Sequence, residues 1–142
     1  MTRDKDLRRL ADAARRLTGV GFERVAETHS DSFGDVSVEM QRGVWHVKLV
    51  RDRGQLFLAV SAAIDQGHDM GLWDACLDRV LPSLEPRAFE LEIDALIRRL
   101  PDMEKLDHEG LAGITECLRT NGEWRFMTRH RLDMIGPTGL SD

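Results

Sequence analysis

Histidine, cysteine and paired carboxylates are the side chains that would carry chemistry here, and their spacing is the first thing to read. The five histidines are His29, His46, His68, His108 and His130. No two share the i,i+4 spacing that puts two ligands on one helical face. His108-Glu109 has no second histidine at metalloprotease spacing. Cys76 and Cys117 lie far apart with no C-x-x-C, each among leucines in a helical pattern where cysteine packs as a small hydrophobe. No G-x-S-x-G occurs, and Gly19-Val20-Gly21 lacks the preceding strand and following helix of a dinucleotide loop. Glu90/Glu92 and Asp102/Glu104 are two apart, hence not on one helical face, and read as solvated charge. The expectation is a protein with no catalytic residues, no metal and no cofactor, and not an enzyme.

Three segments could bind rather than catalyse. In Arg51-Asp52-Arg53-Gly54-Gln55, two guanidinium groups at a hairpin tip could grip a carboxylate or phosphate; an ordinary polar turn reads the same way. Ser30-Asp31-Ser32-Phe33-Gly34-Asp35 is either a shaped loop anchored by Phe33 or a plain strand entry. Trp124-Arg125 through Arg129-His130-Arg131 joins aromatic and basic residues as interface hot spots do, as would a terminal element covering the core with Trp124 and Phe126.

The elements that hold these segments follow from periodicity. Over 4–18, Leu7, Leu10, Ala11, Ala14 and Leu17 form one helical stripe, with Asp4–Arg8 and Asp12–Arg16 as outer pairs and Gly19 placed to end the helix. Residues 21–27 suit a short strand. Val36/Val38/Met40, Trp45/Val47/Leu49 and Leu56/Leu58/Val60 each alternate with mostly polar neighbours, and the turns between them are short. They predict an antiparallel meander of three strands, or four if 21–27 joins. Helical periods then run over 70–81 (Leu72, Trp73, Cys76, Leu77, Val80) to Pro82. They resume over 86–100 (Phe89, Ile93, Leu96, Ile97, Leu100), with Pro86 in the first turn, Asp94–Arg98 paired outside and Pro101 as the stop. A third runs over 107–120, with Asp107 as cap and Gly122 past the end. Residues 123–134 fit either period, helix being favoured, and 136–142 reads as a flexible tail. The fold class is therefore α+β: a helix, a three- or four-stranded meander, then three or four helices packed on one sheet face, as one domain over 1–135.

The 142 residues carry a net charge of −5. The acidity is concentrated in 54–111, with 5 basic against 12 acidic residues. That balance excludes a general nucleic-acid binder and suits a basic protein partner. No secretory leader or membrane-length apolar run is visible, so the expected location is cytoplasmic, with two buried free thiols. Arginine far exceeds lysine and tyrosine is absent, a bias typical of GC-rich bacterial genomes.

Phe33-Gly34-Asp35 leading into one strand, and Val50-Arg51-Asp52-Arg53-Gly54-Gln55 leading into the next, resemble segments of small bacterial proteins of the immunity-protein type. The resemblance spans 33–60 and implies a protein that neutralises a partner by occlusion. In topology alone, a helix before an antiparallel sheet is similar to type III secretion chaperone-like domains, from which the helical C-terminal half departs. Two functions compete: a partner-binding protein, with a homodimer allowed, and a small anionic-ligand-binding or regulatory domain using Arg51, Arg53 or Trp45. An enzyme whose site residues meet only in space is a third. A sheet face left bare, carrying Val50 and Phe57, would mark a partner surface.

Overall fold

The computed structural model describes residues 2–30, 35–62, 66–85 and 87–139. In chain order the elements are α1 (Thr2–Thr18), β1 (Glu23–Ser30), β2 (Asp35–Arg42), β3 (Trp45–Asp52), β4 (Gln55–Ala62), α2 (Met70–Asp78), α3 (Phe89–Glu104) and α4 (His108–Gly139). The expected α+β class holds, with four antiparallel strands in the single order β1-β2-β3-β4. The chain divides into two compact units, Met1–Met70 with Arg87–Lys105, and Gly71–Pro86 with Leu106–Asp142.

In the first unit the side-chain alternation of β3 sets the fold. Trp45, Val47, Leu49 and Arg51 are buried, and the strand register aligns them with Val36, Val38 and Met40 on β2 and with Leu58, Val60 and Ala62 on β4. The helices α1 and α3 cover this face. Arg51 Nε donates to Asp6 of α1 at 3.0 Å, and Arg42 pairs with Glu104 of α3 at 2.8 Å. The buried stripe of α1 is Asp6, Leu10, Ala13, Ala14 and Leu17. It is rotated from the expected one, since Ala11 is exposed.

The expected outer pairs of α1 and α3 are replaced by bridges between the two helices. Arg16 binds Asp94 at 2.5 Å rather than Asp12, which pairs with Arg15. Arg9 grips Glu90 with Nε and Nη2. That guanidinium holds the Glu90 carboxyl below the usual range. Arg8 Nε donates to the Asp4 backbone carbonyl at 3.4 Å.

The end of α1 is a Schellman motif centred on Gly21, not on Gly19. Gly21 N–H donates to the Thr18 carbonyl, and Phe22 N–H reaches back to Leu17. Gly21 takes the positive φ (99°) that this cap requires, and Phe22 and Leu17 are both buried beside it. Pro101 does not stop α3, which runs on to Glu104 with Pro101 inside it. Pro86 lies outside the described residues.

The second unit holds α2, apart from Met70, and α4. The first of these helices ends at Asp78, not near Pro82, because Arg79 turns to φ 59° and Val80 N–H donates back to Ala75. Asp107 caps α4 as expected, Oδ1 accepting the Gly110 N–H at 2.6 Å. Gly122 does not end this helix, which continues through 123–134 and carries residues 136–139. Isolated glycine weakens a helix without breaking it.

The two cysteines are not free thiols. Cys76 of α2 and Cys117 of α4 form a disulfide, with Cα atoms 5.9 Å apart. Absence of C-x-x-C speaks only to local pairing, and both residues had read correctly as helix-face positions. The expectation of two buried free thiols therefore fails. Among the described residues, no helix is long and apolar enough to cross a membrane.

Candidate functional site

The face of the sheet opposite α1 and α3 is built from the other half of each alternation. Register defines its rows: Thr28, Ser37, Val50 and Phe57 across the four strands, flanked by Ala26, Glu39, Lys48 and Ala59. Beyond them on one side lie Glu23, Gln41, His46 and Ser61; on the other lie Ser30 and Asp35 with the hairpin pair Asp52 and Gln55. Phe57 is 41% exposed and Val50 half-buried. The acids Glu23, Asp35, Glu39 and Asp52 outnumber the cation Lys48. A phenylalanine exposed among charged neighbours, on an ordered antiparallel surface, can take up an apolar anchor from a partner while the acidic rim meets its cations.

The β3–β4 turn shapes one end of this face. Arg53 (φ 52°) and Gly54 (φ 79°) both take left-handed backbone, the pattern of a two-residue I′ hairpin. Asp35 Oδ1 accepts the Arg53 N–H at 3.0 Å and ties the turn to β2. At the far corner of β4, Gly67 packs against Ala59, and the His68 backbone exchanges two hydrogen bonds with Val60.

The expected site residues are dispersed. Asp52, Arg53 and Gln55 sit together, exposed, at the hairpin tip. Arg51 faces the other way: at 7% exposure it is locked to Asp6, itself 4% exposed, so Arg51 and Arg53 do not form a two-guanidinium grip. Alternation dictates this, because Arg51 continues the inward series Trp45, Val47, Leu49. Trp45 is likewise buried on the covered face. Trp124 belongs to α4 in the other unit, and Phe33 lies outside the described residues.

One chemically distinctive group had read as solvated. Glu92 is 5% exposed. Its Oε1 accepts the Met70 N–H at 2.8 Å, capping α2, and its Oε2 accepts from Arg87 at 3.1 Å. Burial foremost, and then the neighbouring charge of Asp69, pushes its carboxyl above the usual range. Position was the available signal, since Glu92 is in helical register with Phe89, Ile93 and Leu96. Its partners make it an internal cap. Among the described residues no group of three His, Cys, Asp or Glu is arranged to hold a metal ion.

Comparison of the chain with protein-family models, with curated proteins and with solved structures finds no match in any of the three.

Proposed function

We propose that this chain is a non-enzymatic protein-binding module that docks a basic partner on the open face of its sheet and acts by occluding it, in the manner of an immunity protein. The observation that carries this reading is the exposure of Phe57 on the edge strand β4, beside Val50 of β3, on an acidic-rimmed sheet face. Phenylalanine is among the aromatic residues enriched at protein–protein interfaces. The hairpin tip Asp52-Arg53-Gly54-Gln55 extends the surface with adaptable polar groups. The alternative of an anion-binding domain loses its main support, since Arg51 is already committed to Asp6.

The test is affinity capture from the native host with wild type, Phe57→Asp and Lys48→Glu. The expected result is a discrete copurifying protein lost with Phe57→Asp and kept or strengthened with Lys48→Glu, both variants retaining wild-type circular dichroism. Equal capture by wild type and Phe57→Asp would overturn the reading.

A further inference from the structure

The C-terminal half of α4 carries an apolar surface that the sheet-face reading does not use. Trp124, Phe126, Met127, Leu132 and Met134 are all exposed, Phe126 by 70% and Met134 by 75%. Along the helix, Glu116, Thr120, Glu123, Met127, Arg131 and Met134 recur at spacings of four, three, four, four and three. At 3.6 residues per turn they share one face, distinct from the one carrying Ile114, Cys117 and Asn121.

That face is self-complementary about Met127. Glu123 lies four residues before it and Arg131 four after. Thr120 and Met134 lie seven before and seven after. Two copies of the helix laid antiparallel around a two-fold axis at Met127 set Met127 against itself. They also set Glu123 against Arg131 twice, and Thr120 against Met134 twice. Each Glu–Arg pair bridges a span of about 6 Å from the axis along the helix, at the 1.5 Å rise per residue. Within one copy Glu123 already accepts from Arg119 at 2.9 Å, so each carboxylate would sit between two guanidinium groups. Trp124 borders the stripe on one side. On the other shoulder Phe126 and His130 stack with ring centroids 6.3 Å apart.

We infer that α4 is a homodimerisation helix whose partner is a second copy of this chain, paired antiparallel through Met127 with reciprocal Glu123–Arg131 bridges. This goes beyond the sheet-face reading and is independent of it.

Sedimentation of the purified chain should show a concentration-dependent dimer. Glu123→Arg or Arg131→Glu alone sets like charges opposite each other at two symmetric places and should weaken the dimer by about tenfold or more. The double reversal, Glu123→Arg with Arg131→Glu, should restore it. In a non-reducing gel, Met127→Cys should cross-link to itself, because the two-fold axis brings the two thiols together, while Leu91→Cys on the exposed side of α3 should not. A chain that stays monomeric throughout overturns the inference. So does a double reversal as weak as the singles, or a Met127→Cys that cross-links no faster than Leu91→Cys.

Discussion

Replacing Asp6 with alanine should destabilise the first unit severely. Asp6 and Arg51 are 4% and 7% exposed, and Nε–Oδ2 is 3.0 Å. Removing one partner of a buried ion pair leaves the other desolvated and typically costs about 3–5 kcal/mol. Asp6 also lies 3.6 Å from Arg9, but Arg9 keeps Glu90, so little is added there. Arg51 has a further interaction of its own, which favours the lower end, about 3 kcal/mol. For a chain of this size that corresponds to a fall in melting temperature of roughly 10 °C. The double replacement Asp6→Leu with Arg51→Met removes both charges while filling the space, and should recover most of the loss. Melting followed by circular dichroism reads all three proteins. If Asp6→Ala shifts the transition no more than an exposed pair would, about 1 kcal/mol or less, the buried-pair reasoning is refuted. Arg51 would then again be available to a ligand.

Glu92→Gln tests the internal cap through pH. The folded state holds the Glu92 proton more tightly than the unfolded state, so its contribution to stability is present at low pH. That contribution is lost as pH rises through the raised value. The melting temperature of wild type minus that of Glu92→Gln should fall with increasing pH above the usual carboxylate range, and a flat difference would count against it. Gly67→Ala would place a Cβ 2.8 Å from that of Ala59, too close for either backbone to ignore. A loss of about 1–3 kcal/mol in urea unfolding is expected, relieved by adding Ala59→Gly. Reducing the Cys76–Cys117 bridge, which closes a sequence separation of 41, should lower the stability of the second unit by up to about 4 kcal/mol on the chain-entropy estimate. Hydrogen exchange before and after reduction would show faster exchange in α2 and at the start of α4.

The meander was readable because the apolar residues of β2, β3 and β4 alternate and the hairpins are two residues long. Those two features fix register and order together. Three polar residues are buried for a shared reason. Asp6, Arg51 and Glu92 occupy inward positions of their periodic patterns, although residue type alone suggests solvent. Each is inside because a group distant in sequence meets it there: Arg51 for Asp6, Asp6 for Arg51, and the Met70 N–H for Glu92. Such partnerships are long-range and leave no local trace, as with the Cys76–Cys117 pairing. Proline and glycine do not act here as the stops their types suggest: Pro101 and Gly122 both lie inside helices that continue past them. Asp52, Arg53 and Gln55 lie exposed at the β3–β4 turn, where turn chemistry places them. Phe57 was foreseen from the strand pattern, once the covered face was known.

The docking role of the open face is tested most directly by placing a photo-cross-linking amino acid at position 57 in the native host. Leu91, exposed by 54% on α3, serves as control. The account predicts a discrete adduct with another protein from position 57 and none from position 91. No adduct at 57, or the same adduct from both positions, would contradict it.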